Sequence, residues 1–310
     1  MSRKVAPLEA QLDRLADLRG QPPSPEARAE VARFLESKSN LVAAKAARVA
    51  GEWKDAELAP TLAAAFERFL ENGETTDKRC AAKIEILKAL CELEYPAARL
   101  FLSGLHYVQM EPSYGGATDS GAEVRALCAI GLAQTSYPDA LEEILPLLLD
   151  RERTARIGAV RAIGGAGQLG GTLLLRLKAL SHDEPEVRGE CLAALLRAAP
   201  ASSVDFVAGF LDHEEEAVAE AAALALGESR LESAYTVLRA AFEQAHTRAM
   251  GRTLLLALAL LRRESAIDYL IDLVAKGDAQ ASAGAAAALD MYRQDPKLHE
   301  RLEQAQRSRR

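Results

Sequence analysis

EVRGECLAALL, residues 186–196, is one of several near-copies in this chain, and the spacing of those copies decides the fold. The same pattern returns as EVRALCAIGLA (123–133), TARIGAVRAIGG (154–165) and AVAEAAALALGE (217–228). With Val124 as anchor, its equivalents are Ala155, Val187, Val218, Met250 and Ala281, at intervals of 31, 32, 31, 32 and 31 residues. The segments that follow repeat as well: RLESAYTVL (230–238) and RRESAIDYL (262–270) lie 32 apart. Upstream, EYPAARLFL (94–102) and SYPDALEEI (136–144) lie 42 apart, as do Ala82 and Val124. An earlier copy, LVAAKAARVAG, starts at Leu41. A period of this length means stacked helix pairs, none of which can bury its apolar face alone.

Composition agrees. Apolar residues make up 49% of the 310 residues but aromatics only 5%, and Ala and Leu dominate the apolar share. Ala costs no side-chain entropy in a helix and lets backbones approach, whereas strands prefer the β-branched and aromatic residues that are sparse here. The expectation is an all-α chain with about eight helix pairs between residues 37 and 306. Residues 1–36 supply N-terminal capping helices, 37–292 the solenoid with a loop inserted at 108–121, and 293–310 a capping helix with a basic tail.

Local chemistry marks the helix ends. Ser24-Pro25-Glu26 after GQPPSP is a helix start, Asp183 is a candidate cap with Pro185 in the first turn, and Glu214, Glu215 and Glu216 suit the positive end of a helix dipole. Glycines 51, 131, 164 and 227 close first helices as caps or as close-packing points. The four cysteines, at 80, 91, 128 and 191, form no CxxC pair and have no histidine at zinc spacing. Cys128 and Cys191 follow Val124 and Val187 by four residues, where other repeats carry Ala46, Ala159 and Ala222, so they read as small buried helix positions.

An Asp followed a few residues on by Val-Arg, then by small and apolar residues and often Leu-Gly, resembles the signature of HEAT repeats. The likeness is to the short bacterial type first noted in phycobilisome lyases. It stands here as Asp183 to Arg188, Asp119 to Arg125 and Asp150 to Arg156, and decays where Ala219 and Gly251 replace Arg. The resemblance covers roughly residues 37 to 292 and implies a right-handed α-solenoid. It further implies that Asp119, Asp150 and Asp183 bond with Arg125, Arg156 and Arg188 as a structural ladder between repeats. HEAT arrays serve mostly as scaffolds and partner-binding surfaces, so the family is informative for fold and not for chemistry.

Deoxyhypusine hydroxylases place His-Glu pairs after the Val-Arg of several repeats to grip two irons. Here Val187-Arg188-Gly189-Glu190 has Gly189 where the His belongs, and His213-Glu214 falls in a turn. His182 and His213 sit on equivalent turns of adjacent repeats, roughly 10 Å apart, too far to share a first-shell zinc. No Ser–His–Asp or Cys–His set is legible, and neither a cofactor nor a metal is expected. A net charge of −7 and one tryptophan argue against a nucleic-acid groove of the alkylpurine glycosylase kind, despite the five Lys/Arg against two Glu in the tail KLHERLEQAQRSRR. The start MSRKVAPLEAQLDRLADL is no secretory signal, and the longest apolar run, Leu254 to Leu261, is too short to span a bilayer. A cytoplasmic protein without membrane contact is expected.

One stretch breaks the pattern. GLHYVQMEPSYGGATDSGAEVR, residues 104–125, spends about 14 residues, from Val108 to Gly121, on a connection that elsewhere takes about five. An ordered loop is expected, its tyrosines lying on the solenoid face and Gly115-Gly116 permitting a tight reversal. Tyr107, Met110, Glu111 and Tyr114, with Trp53 as a second exposed aromatic, are the candidates for holding another protein's segment. The function expected is a non-enzymatic scaffold or adaptor; the alternative is an enzyme or lyase-like subunit with a small-molecule site near His106, Glu111 and Asp119.

Overall fold

The computed structural model describes residues 7–168 and 170–309. The chain is an all-α solenoid of paired helices, broken by one short strand pair. It divides into two compact units, one ending at Ala166 and the other beginning at Gly167.

Unit 1 runs α1 (Leu8–Arg19), α2 (Pro25–Leu35), α3 (Asn40–Trp53), α4 (Ala59–Leu70), the single turn α5 (Gly73–Thr76), α6 (Ala81–Glu92) and α7 (Ala98–Gly104). Then come β1 (Met110–Ser113), β2 (Gly116–Asp119), α8 (Ala122–Gln134), α9 (Ala140–Ile144) with a 3-10 extension over Leu145–Leu149, and α10 (Arg153–Gly165). The first helices of successive pairs form one row, in which α1, α3, α6, α8 and α10 each pack on the next. Sandwiching explains the composition: α3 buries Val42, Ala43, Ala46, Ala47, Val49, Ala50 and Gly51, more than one stripe of its surface.

Unit 2 comprises α11 (Gly171–Leu180), α12 (Pro185–Ala198), α13 (Pro200–Ala208), α14 (Glu216–Glu228), α15 (Glu232–Glu243), α16 (Arg248–Leu260), α17 (Glu264–Lys276), α18 (Ala279–Leu289) and α19 (Pro296–Ser308). Its row is α12, α14, α16 and α18, with α19 packed on α17. Glycine makes the rows tight. A Cβ on Gly158 would lie 2.4 Å from the Cα of Ala126, and one on Gly227 would lie 2.4 Å from the carbonyl oxygen of Ala257. Gly51 and Gly131 likewise abut Ala89 and the Phe101 ring. These glycines are close-packing points, while left-handed residues that close helices include Lys54, Glu94, Arg230 and Arg262, with φ of 52°, 48°, 55° and 52°.

Ser24 caps α2, accepting from the Ala27 amide at 3.1 Å. Asp183 does not cap α12 in the expected way; Glu184 holds the cap position without bonding the helix amides through its side chain, and Asp183 instead receives Lys178 at 2.6 Å. Burial opposes ionisation of Asp183, but hydrogen bonds from Glu184 and the Lys178 ammonium outweigh it, and its carboxyl is held down to about 2. Cys80, Cys128 and Cys191 are buried free thiols, and Cys91 is half-buried. Among the described residues no helix is long and apolar enough to cross a membrane.

Candidate functional site

The interruption between α7 and α8 is a β-hairpin. Met110 pairs with Asp119, Glu111 with Thr118, Pro112 with Ala117 and Ser113 with Gly116, antiparallel. Tyr114 and Gly115 make the two-residue link, and Gly115 adopts φ +92°, a conformation open to glycine and strained for other residues. Pro112, which donates no backbone bond, is tolerated because a two-stranded ribbon is all edge.

Beneath the hairpin lies a buried polar network. Asp77 and Lys83 are both fully buried and pair at 3.0 Å. The Asp77 carboxylate also accepts from the amides of Ala82 (2.9 Å) and Lys83 (3.0 Å) and from Asn40 Nδ2 (3.2 Å). Lys83 Nζ donates to the Phe69 carbonyl at 3.1 Å and stands 5.0 Å from the centroid of the Tyr107 ring. Gln109, buried, donates to the Asp77 carbonyl (2.9 Å) and to Glu111, and accepts from the Tyr107 hydroxyl. Glu111 further accepts from the Arg79 amide (2.6 Å) and Ser120 Oγ (3.0 Å). Burial opposes ionisation of Glu111, but these three donors outweigh it and hold its carboxyl below the usual range. Burial also pushes the Tyr107 hydroxyl well up, and the nearby Cys80 thiol up to about 11.

The other side of the hairpin foot is tied to the next repeat. Arg125 donates to Asp119 at 2.7 Å, to the Tyr107 carbonyl at 2.8 Å, and bidentately to Asp150 at 2.8 and 2.9 Å. Asp119 accepts in addition from the amides of Gln109 (3.0 Å) and Gly121 (2.8 Å). Burial disfavours the Asp150 carboxylate, but the Arg125 bonds and the Glu152 amide prevail and lower its pKa. Arg156 donates to the carbonyls of Asp150 (2.7 Å) and Arg151 (3.0 Å). Arg188 donates to the Ala179 carbonyl (3.0 Å), meets His213 Nε2 (3.0 Å), and lies over the Phe210 ring. His213 thus receives the arginine of the preceding repeat, as Asp150 receives Arg125.

The structure divides the candidate residues. Tyr114 is fully exposed at the hairpin tip rather than laid on the solenoid face, and Val108 and Met110 are 58% and 48% exposed. Tyr107 and Glu111 belong to the hairpin foot and face inward. Trp53 is half-buried, and its indole N–H is buried without a hydrogen-bond partner. His106 is exposed, while Glu111 and Asp119 spend their oxygens on the donors already named. These three line neither the groove of about 460 Å³ between α3 and α6 nor the larger one, about 840 Å³, along α16 and α18.

Sequence reasoning passed over Asp77, Lys83 and Gln109. The signal for the first two was present: Lys83 follows Ala82 as Arg125 follows Val124, and Asp77 precedes Ala82 by five residues as Asp119 precedes Val124.

Residues 173–251, from α11 into α16, match the family model of HEAT repeats. This stretch is built of HEAT repeats. Three solved structures are similar to this chain. An Escherichia coli protein, YibA, is 16% identical, with 94% of this chain and 99% of that one covered, at a TM-score of 0.46. Human deoxyhypusine hydroxylase is 18% identical over 94% and 92%, at 0.32. The CpcE–CpcF complex of phycocyanin lyase from a Nostoc species is 13% identical over 100% of both, at 0.37. At such identities and scores none of them lends this chain a ligand or an activity. No match was found among curated proteins.

Proposed function

We propose that this HEAT-repeat protein is a non-enzymatic scaffold that holds a segment of another protein with the exposed face of its 110–119 hairpin. One observation carries the reading: exposed apolar side chains, from the base of the hairpin to its turn, on an immobilised foot. Val108 and Met110 at the base of the hairpin and Tyr114 at its turn are open to water, while Gln109, Glu111, Ser120 and Asp119 tie that base to buried charges of two repeats. Tyr and Met present large contact area at a modest cost in conformational entropy, and a fixed foot reduces what ordering would cost on binding. The acids near His106 support structure in this reading, which weighs against a small-molecule site there.

The test is affinity capture from the native host with the intact chain and with a Met110→Ser/Tyr114→Ser chain. Both substitutions are at solvent-facing positions and leave the foot whole. A partner held by the intact chain and lost from the variant supports the reading, and identical partners for both refute it.

A further inference from the structure

In unit 1, cations along the row of first helices are answered by the helix beside them. Arg19 on α1 pairs with Glu52 on α3, Arg48 on α3 with Glu85 on α6, and Lys88 on α6 with Glu123 on α8. The rung from α16 to α18 in unit 2 breaks that rule. Arg248 and Arg252 on α16 are exposed, and among the described residues neither makes an ion pair or a side-chain hydrogen bond. On one flank, Glu216 and Glu220 of α14 take Thr247 and Thr253 instead. On the other, α18 is AQASAGAAAAL and has no charge to offer. Arg248 stands in the first turn of α16, where a cation opposes the helix dipole. Both arginines line the groove of about 840 Å³ along α16 and α18. Gly251, Leu255 and Gly284 give it an apolar lining, and Phe242 and Tyr269, edge to face at 6.4 Å, add aromatic surface. Two acids also line it, but each is engaged. Glu243 receives Arg239 at 2.9 Å, and Asp278 caps α18 by accepting from the Ala281 amide at 2.7 Å.

We propose that this groove takes an acidic helix of another protein, its carboxylates on Arg248 and Arg252 and its apolar face on the lining. Charge selects the occupant. Two cations stand open while the groove's own acids are engaged, so a basic segment would meet both arginines unanswered. A four-residue spacing puts the arginines one turn apart on one face, about 6 Å at their Cβ atoms, and a Glu-x-x-x-Glu pair on a second helix repeats at the same distance. Nucleic acid is the poorer fit: phosphates running along the groove would find cations on α16 alone, because α18 supplies none. From Gln280 to Ala288, both in the groove, α18 runs about 12 Å, room for about two turns of the partner. The inference does not rest on the hairpin reading, and the Met110→Ser/Tyr114→Ser chain should bind such a helix as the intact one does.

The test is fluorescence anisotropy of the full chain with a labelled peptide about 18 residues long, enough to populate an isolated helix. The peptide is rich in Ala and Leu and carries one Glu-x-x-x-Glu pair beside its apolar stripe. It should bind the intact chain, and a copy with Gln for both Glu should bind about tenfold more weakly, the order expected for two partly exposed ion pairs. An Arg248→Gln/Arg252→Gln chain should lose the same factor for the acidic peptide and nothing for the Gln copy. Both residues are exposed, so its melting curve should not change. An Arg248→Glu/Arg252→Glu chain should instead prefer a copy with Lys for both Glu. No binding of the acidic peptide up to about 1 mM, or equal binding of the acidic and Gln copies, overturns the proposal. So does acidic-peptide binding indifferent to the arginine substitutions, or a charge-reversed chain that still prefers Glu. A single-stranded oligonucleotide that binds the intact chain more tightly than the acidic peptide, and loses that binding in the Arg248→Gln/Arg252→Gln chain, also overturns it and gives the groove to nucleic acid.

Discussion

Replacing Lys83 with Met strands a carboxylate in the interior of unit 1. Asp77 and Lys83 are both fully buried, so no solvent can take the place of the ammonium. Asp77 would keep the two amides and Asn40, the Phe69 carbonyl would lose a donor, and the Tyr107 ring would lose its cation. Breaking a buried pair from one side costs about 3–5 kcal/mol. For a unit of this size the loss lowers its melting transition by about 10 °C. Calorimetry of the intact and Lys83→Met chains checks the number, and hydrogen exchange at the Ser120 amide, bonded to the Gln109 carbonyl, reports whether the hairpin foot loosens with it. Lys88→Met is the control, since Lys88 is half exposed and bridges Glu85 and Glu123 at the surface; its loss should stay below about 1 kcal/mol. Equal effects of the two substitutions would refute the reasoning.

The Asp183 carboxyl is held at about 2, below its unfolded value, so its stabilisation is present above that unfolded value and lost as pH falls toward 2. Urea unfolding of unit 2 should therefore show about 2 kcal/mol draining away between roughly pH 4 and pH 2, and an Asp183→Asn chain should show a correspondingly flatter profile. Gly227→Ala drives a Cβ to 2.4 Å from the Ala257 carbonyl oxygen; the resulting overpacking of about 1–3 kcal/mol exceeds the gain of about 1 kcal/mol in helix propensity. Gly165→Ala meets nothing within 4 Å and should be neutral or slightly stabilising in the same thermal melt.

The repeat was legible because successive helix pairs share a local rule: a buried small or apolar position with a tight row beside it and, in several, an arginine after it. Val124, Val187 and Val218 announce that rule by spacing alone, and all three are fully buried. Ser24 could be read as a cap because its bond lies within three residues. The glycines could not be assigned from sequence, since caps and close-packing points use the same residue; the difference is whether Ala257 or Ala126 stands opposite. The sequence of the hairpin supports no more than an ordered loop. Met110 to Asp119 has few β-formers and a Pro, and what holds it as strands is the pairing with its own return and the network below.

From the sequence alone came the all-α solenoid, the order of its pairs and the place of the interruption, because period and composition are properties of the chain read along its length. Tertiary structure decided which of Tyr107, Met110, Glu111 and Tyr114 face outward, that Lys83 takes the role an arginine has elsewhere, and that α11 shows three leucines to water. Those outcomes depend on neighbours 14 to 32 positions away, such as Phe69 for Lys83 and Asp77 for Gln109. Which partner a side chain meets is set by what packs across from it, and the repeat spacing does not name that partner.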